Sequence, residues 1–311
     1  MPTRLYTHRA CLEHDPGRLH PERPQRLEAV LAALESPDFA ALERIEAPRA
    51  DKAQLSRMHD PRYIDLVMEA VPEFGRADLD ADTSLSAGSG EAALRAAGAV
   101  VAAVDWAVAG EDRHAFCAVR PPGHHAEAAT AMGFCLFNNV AVGAAEARAK
   151  GLGRVAVIDF DVHHGNGTQH MFERDPTFFF GSTHQWPLYP GTGAEHETGC
   201  GNVVNVPLSP PAGSEEFREA MVERILPALD RFRPELILIS AGFDAHWLDP
   251  LGSLNFTDDD YAWVTKELCR LADRHAKGRV VSTLEGGYDL DALASAASAH
   301  VKALMDWDGR S

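Results

Sequence analysis

The sequence lacks any apolar run of about 18 residues, which is the length that a membrane-spanning helix requires. Its first residues, MPTRLYTHRACLEHDPG, include no apolar segment of the kind found in signal peptides. The five cysteines are widely spaced and form no CxxC pair, so a disulfide framework is not expected. Together these absences predict a cytoplasmic protein whose cysteines are reduced.

Positive charge is also scarce, because 29 Lys and Arg are opposed by 46 Asp and Glu, which gives a formal net charge of −17. A chain of this charge repels polyanions, so binding to nucleic acid or to an anionic membrane surface is not expected. Cationic substrates would be attracted, although the same acidity would also serve solubility alone.

No stretch rich in Gly, Ser or Pro divides the chain, and we find no internal repeat. Short apolar runs alternate with longer amphipathic runs, which is typical of βα units around a mainly parallel sheet with helices on both faces. We therefore predict a single α/β domain over residues 1–311. The predicted strands are residues 116–119, 155–160, 178–181, 203–206, 236–240 and 280–284. The predicted helices are residues 24–35, 90–109, 139–150, 214–232, 258–275 and 289–307.

Residues that can carry chemistry follow five of these strands. The sequences at the strand ends are RPPGHH, DVHHGNGT, STHQ, DAHWLDP and EGGY. Ligands of open α/β sheets bind beyond the carboxyl ends of the strands. The shared position of these segments therefore predicts one convergent site.

The segment that contains Asp161 and His163 has the spacing of a metal site. Residues two apart in an extended chain face the same side, so these side chains can close on one ion, and Asp244 is the best candidate for a third ligand. Two carboxylates and one imidazole leave coordination positions open, as in catalytic zinc sites, although Fe(II), Co(II) or Mn(II) would also fit. Any one of these residues alone would more often cap a turn or pack against the sheet. The DxDxHHGxG pattern together with the later FDA favours the metal.

Two further groups are expected at the same edge. His124 and His125 follow a rigid Pro-Pro-Gly turn, and a neutral imidazole can take a proton from an attacking water and return it to a leaving amine. Tyr288 follows two glycines, and its phenol can donate a hydrogen bond to an oxyanion. Each motif is weak alone. An HH pair is a solvated turn as often as it is a catalytic site, and GGY is more often a turn with a packing tyrosine than part of a catalytic site.

Segments along the chain resemble, in order, the signature blocks of histone deacetylases and their bacterial amidohydrolase relatives. They are HPERPQR, RPPGHH, GFCLFNN, DFDVHHGNGT, STHQWPLYPGTG, SAGFDAHWLDPLG and EGGY, and together they extend over nearly the whole chain. The resemblance implies the arginase-deacetylase α/β fold and metal-assisted hydrolysis of an amide.

The resemblance also implies roles for individual residues. The implied zinc ligands are Asp161, His163 and Asp244. His125 resembles the general base and acid, His124 its electrostatic partner, and Asp159 the carboxylate behind His124. Asn166 stands where many class I enzymes have a second aspartate, so the HHGNG form is similar to class II enzymes, and the His125 imidazole should be held less strongly as a cation.

Two more sites come from the resemblance alone. A structural potassium ion is implied at the carbonyls of Asp159, Asp161, His163 and Thr183 and the hydroxyl of Ser182. An acyl tunnel is implied, with residues Gly133, Phe134, Tyr189 and Leu251, a rim contact at Asp82, and Arg26 behind the site.

These patterns predict a zinc-dependent deacylase that acts on N-acyl-lysine in a peptide or protein. Polyamine-selective relatives have a glutamate at the position of Leu251, so an acetylpolyamine or another small acylated amine is the alternative substrate. A binuclear manganese ureohydrolase of the arginase kind would need an aspartate where His246 stands. A non-catalytic acyl-lysine binder would have no use for the full catalytic set.

Overall fold

Short runs of Val, Ile, Leu and Phe form the central strands, because such residues fit a sheet that is buried on both faces. The computed structural model of the protein describes residues 3–309. Its strands are β1 (Thr3–Thr7), β2 (Glu43–Glu46), β3 (Arg76–Asp78), β4 (Ser84–Ser86), β5 (Arg113–Cys117), β6 (Val155–Asp159), β7 (Phe178–Gln185), β8 (Val203–Leu208), β9 (Leu236–Ala241) and β10 (Arg279–Leu284).

The helices alternate with the strands over most of the chain. They are α1 (Gln25–Ala33), α2 (Lys52–Leu55), α3 (Pro61–Glu69), α4 (Ser89–Val108), α5 (Asn139–Ala149), α6 (Asn166–Phe172), α7 (Ser214–Ala220), α8 (Leu226–Phe232), α9 (Asp258–His275) and α10 (Leu290–Asp306). A π-helical turn, Met221–Ile225, joins α7 to α8. None of the helices between residues 3 and 309 has the length and apolar character that crossing a membrane would require.

Eight strands form one parallel sheet in the order β2-β1-β5-β10-β9-β6-β7-β8, and β3 pairs with β4 as a separate antiparallel ladder. Every residue of β6, β9 and β10 is buried. Helices α4 and α5 pack together against the sheet, and α1, α10, α9 and α8 form a second packed layer. A parallel sheet this thoroughly buried is covered by helices on both faces, which confirms the predicted fold class.

Parallel pairing places the carboxyl ends of the strands along one edge of the sheet. Asp159, the last residue of β6, lies beside Ser182 of β7 and Ser240 of β9. Thr283 of β10 in turn lies between Ser240 and Cys117, the last residue of β5. The loops that follow β5, β6, β9 and β10 therefore begin close to one another.

The structure differs from the predicted elements in places. The sequence pattern does not predict β1, nor the edge strand β2 (ERIE), which is short, polar and largely exposed. The strand predicted at 178–181 continues to Gln185, since residues up to Gln185 pair with β8, so STHQ lies within a strand and not after one. The helix predicted at 214–232 contains the π-helical turn. The predicted domain limits, residues 1 and 311, lie outside the described residues.

One buried histidine joins three elements of the core. Nδ1 of His300, in α10, is 2.6 Å from the hydroxyl of Thr265 in α9, and its Nε2 is 2.8 Å from the hydroxyl of Ser282 in β10. Burial lowers the pKa of His300 to about 3. Burial also lowers the pKa of His59 and of His114 to about 4. These imidazoles are neutral in the folded protein at neutral and mildly acidic pH.

We expect acid to destabilise the fold through these histidines. In the unfolded chain each imidazole titrates at its ordinary pKa of about 6.5, whereas folded His300 stays neutral down to about pH 3. Between these values the unfolded state binds more protons, so the free energy of unfolding falls as the pH falls, by up to about 1.4 kcal/mol per pH unit for each histidine. Urea unfolding from about pH 7 to about pH 4 measures this slope. His300→Gln should have a shallower slope than the wild type, and equal slopes would contradict the assignment.

Candidate active site

Asp161, His163 and Asp244 meet at the carboxyl edge of the sheet. Asp161 and His163 follow β6, and Asp244 follows the neighbouring strand β9. Nδ1 of His163 is 3.0 Å from Oδ1 of Asp161 and 3.1 Å from Oδ2 of Asp244. The main-chain N–H of Val162 donates to Asp244 at 2.9 Å, and that of Gly286 donates to Asp161 at 2.8 Å. Strand pairing and main-chain donors together fix the positions of the two carboxylates.

These three side chains could hold a metal ion. One ligand atom from each lies within 4.8 Å of the others, and both carboxylates are buried. Burial lowers the pKa of His163, but Asp161 and Asp244 outweigh burial and raise it to about 10, so the cluster attracts positive charge. A Cβ at Gly286 would lie 2.0 Å from Oδ2 of Asp244, so only glycine leaves room for the carboxylate. Two oxygen donors and one nitrogen donor at this spacing fit a divalent cation.

His124 and His125 lie side by side in different environments, with ring centroids 4.0 Å apart. Nδ1 of His124 is 2.9 Å from a carboxylate oxygen of Asp159. Burial lowers the pKa of His124, but nearby carboxylates, Asp159 first among them, outweigh burial and raise it to about 10. Nδ1 of His125 is 2.8 Å from the amide oxygen of Asn166. Burial and the positive charge of neighbouring imidazoles lower the pKa of His125 well below its ordinary value. His124 is therefore held as a cation and His125 as a neutral base.

Tyr288 reaches the same place from the loop after β10. Its ring centroid is 6.0 Å from that of Phe134, and the guanidinium of Arg26 lies 4.8 Å from the tyrosine ring. Arg26 is buried and donates to the carbonyls of Glu285 and Gly287, so it lies behind the tyrosine. Burial raises the pKa of Tyr288 well above its ordinary value, so the phenol keeps its proton.

A cavity of about 280 Å³ connects these groups with the surface. It is lined by Asp82, His125, Gly133, Phe134, His163, Leu188, Tyr189, Leu251 and Tyr288. Gly133 has a φ of +57°, and a Cβ there would come within 2.5 Å of the His125 ring, so this wall requires glycine. The lining contains the residues predicted for the tunnel except Arg26. It adds Leu188, which lies in the segment STHQWPLYPGTG but was not predicted as a tunnel residue.

The residues predicted to bind potassium lie at the end of β6, in the loop that follows it and in the neighbouring part of β7. Ser182 lies opposite Asp159 in the ladder between these strands, and Thr183 follows it. The structure thus brings both segments to one place beside the metal cluster.

Two buried carboxylates support the site although the sequence patterns did not single them out. Glu285 accepts hydrogen bonds from the main-chain N–H groups of Gly123 at 2.6 Å and His124 at 3.2 Å, which fixes the turn before the histidine pair. Asp249 accepts one from the N–H of Tyr288 at 2.6 Å. The position of Glu285 directly after β10 is a signal that could have identified it. Asp249 binds main-chain amides, which leave no pattern in a sequence.

Comparisons with known proteins identify the family of this chain. The histone deacetylase domain model matches residues 20–304. "Histone deacetylase 14, chloroplastic" of Arabidopsis thaliana is 39% identical over 326 residues, which cover 98% of this chain and 77% of that protein. The "Histone deacetylase-like amidohydrolase" of Pseudomonas aeruginosa is 41% identical over 274 residues, which cover 86% of this chain and 71% of that protein. The crystal structure of the HDA15 HD domain superposes with a TM-score of 0.94 at 35% identity, covering 99% of this chain and 89% of the other.

The family match therefore spans almost the whole chain, and the fold match includes every element that carries the metal cluster, the histidine pair and the tyrosine. The chain belongs to the histone deacetylase family and is a hydrolytic deacetylase.

Proposed function

We propose that this protein is a zinc-dependent deacylase that hydrolyses the amide of N-acyl-lysine in a peptide or protein. The observation that carries the proposal is the convergence of the Asp161, His163 and Asp244 cluster with His125 and Tyr288 at one narrow cavity. A metal cluster alone would support binding. A proton carrier and a hydrogen-bond donor on the same cavity wall favour hydrolysis.

The proposed zinc ligands are Asp161, His163 and Asp244. Three ligands from the protein leave room for water and substrate, as catalytic zinc sites do, and Fe(II) or Co(II) would accept the same donors. Zinc in such a site supplies Lewis-acid chemistry, which polarises the amide carbonyl and activates water. We also propose the structural potassium ion between β6 and β7, where main-chain carbonyls and the Ser182 hydroxyl offer the oxygen donors that a hard cation prefers.

His125 is the proposed general base and acid. Its Nδ1 atom donates its hydrogen to the amide oxygen of Asn166, which leaves Nε2 free to accept a proton. The low pKa of His125 keeps the imidazole neutral before the reaction. Nε2 takes a proton from the attacking water and returns it to the amine nitrogen as the C–N bond breaks.

Tyr288 and His124 are proposed to stabilise the charge that develops during the reaction. The protonated phenol of Tyr288 donates a hydrogen bond to the carbonyl oxygen as it becomes an oxyanion. The Arg26 guanidinium, packed behind the ring, holds the tyrosine in place. His124, paired with Asp159, adds a fixed positive charge beside the reacting groups.

The cavity walls favour a slender acyl-lysine side chain. Phe134, Leu188, Tyr189 and Leu251 present apolar surface to the methylene chain of the lysine. Leu251 has no charge with which to pair a second ammonium group, so the wall favours a peptide or protein substrate over an acetylpolyamine. The net charge of −17 attracts either kind of basic substrate and does not discriminate between them.

We expect Tyr288→Phe to lower kcat/KM for an acetyl-lysine peptide by about 10²- to 10³-fold, because the oxyanion loses its donor. His125→Ala should lower it by about 10²- to 10⁴-fold, because the group proposed to carry the proton is removed. Steady-state kinetics on zinc-loaded protein measures both effects. Zinc content should be unchanged in both variants, since neither residue is a proposed ligand.

Tyr6→Phe is a matched control for the tyrosine variant. The hydroxyl of Tyr6 lies 3.4 Å from the carbonyl of Ala102 and also contacts the side chain of Arg4, and the residue lies on β1, away from the cavity lining. This variant should keep wild-type kinetics. Full activity in Tyr288→Phe or in His125→Ala would refute the role assigned to that residue.

Leu251→Glu should shift the substrate preference towards acetylpolyamines. A carboxylate in this wall can pair with a second ammonium group, and we expect the ratio of kcat/KM for an acetylpolyamine to that for an acetyl-lysine peptide to rise about tenfold, equivalent to about 1.4 kcal/mol. Leu251→Met, which keeps the wall apolar, should leave the ratio unchanged. A wild-type enzyme that already prefers the acetylpolyamine would contradict the proposed substrate.

A further inference from the structure

The side-chain amide of Asn166 lies between His125 and Glu127. Its oxygen is 2.8 Å from Nδ1 of His125, and its nitrogen is 3.1 Å from a carboxylate oxygen of Glu127. Glu127 is half-buried, and it has no part in the mechanism described above. The amide therefore connects the proposed base to a carboxylate two residues further along the chain.

The neighbours of the Asn166 nitrogen fix the orientation of the amide. They are the Glu127 carboxylate at 3.1 Å, the main-chain carbonyl of His125 at 3.4 Å and the sulfur of Met132 at 3.3 Å. All three are hydrogen-bond acceptors, so a reversed amide would place its oxygen against acceptors only. The charged Glu127 is the strongest acceptor of the three and contributes most to this preference.

This orientation determines where His125 carries its hydrogen. Because the amide oxygen can only accept, Nδ1 of His125 must be the N–H, and Nε2 must hold the lone pair. Nε2 is the atom that the reaction requires as a base. A reversed amide would present N–H to Nδ1 and favour the opposite tautomer, with the hydrogen on Nε2.

The main chain holds Glu127 in position for this contact. Its N–H donates to the carbonyl of Thr130 at 2.9 Å, and its carbonyl is 3.1 Å from Nδ1 of His59. Within residues 3–309, no lysine, arginine or histidine forms an ion pair with its carboxylate. The carboxylate of Glu127 can therefore stabilise protonated His125 through the intervening amide of Asn166.

We propose that Glu127 is a positioning residue for the deacetylase reaction: through Asn166 it sets the tautomer of His125 and supplies the negative charge that a carboxylate in direct contact would otherwise provide. The proposal rests on the proposed role of His125 as the base. Glu127 does not line the cavity, so its effect falls on the reaction and not on substrate binding.

Replacing Glu127 tests the orientation. Glu127→Ala should lower kcat for an acetyl-lysine peptide about 10- to 100-fold, the usual effect of removing a partner that orients a histidine, with KM and zinc content unchanged. Glu127→Gln should keep more activity than Glu127→Ala, because its amide oxygen can still accept from Asn166. Glu173→Ala is the matched control: within residues 3–309 the Glu173 carboxylate pairs only with Arg174, at 3.7 Å, so its loss should not affect kcat.

The Asn166→Asp background separates a positioning role from a merely structural one. The carboxylate that this substitution introduces would contact His125 directly, and it would repel the nearby carboxylate of Glu127. Glu127→Ala should therefore cause no loss of kcat in the Asn166→Asp enzyme, or should raise it. Equal losses in both backgrounds, or no loss in the wild-type background, would overturn the proposal. Full activity of His125→Ala would overturn the proposed function as well as the role of Glu127. Failure of the Glu127 predictions alone would leave the proposed function standing.

Discussion

Two buried carboxylates that share one imidazole are the constraint on which the rest of the site depends. Asp161 and Asp244 lie 3.0 and 3.1 Å from Nδ1 of His163, where solvent cannot screen their charge. Buried anions are costly unless cations and hydrogen-bond donors compensate them, and N–H groups of the neighbouring loops provide part of that compensation. The pairing of parallel strands makes the arrangement rigid, because β6 and β9 deliver both carboxylates to one edge of the sheet.

The two adjacent histidines have different roles because their partner side chains differ in charge. His124 contacts the carboxylate of Asp159 and is held as a cation, whereas His125 contacts the neutral amide of Asn166 and remains a base. The difference lies in one atom of the partner side chain. In our proposal the charge of Glu127 acts on His125 only through that amide. The charge helps to stabilise the imidazolium that forms during the reaction, but it is distant enough to leave the resting imidazole neutral.

Much of this arrangement could be predicted from the sequence, because short apolar runs that alternate with longer amphipathic runs indicate parallel strands joined by helices. A run such as VAVIDF predicts a buried strand, and the parallel fold then places Asp161, His163 and Asp244 at one edge. Contacts between residues far apart in the sequence were harder to predict. Asp249 acts on main-chain N–H groups and Glu127 on an amide 39 residues away, and neither contact leaves a periodic signal. The strand β2 was not predicted because it is an exposed edge strand with charged residues.

The most direct test of the metal cluster is anomalous diffraction from crystals of the zinc-loaded protein, with data collected on both sides of the zinc absorption edge. We expect one zinc peak per chain, bound by Asp161, His163 and Asp244. Two peaks at the cluster would indicate a binuclear centre of the arginase kind. A zinc ion bound elsewhere, with none at these three residues, would contradict the assignment of the site.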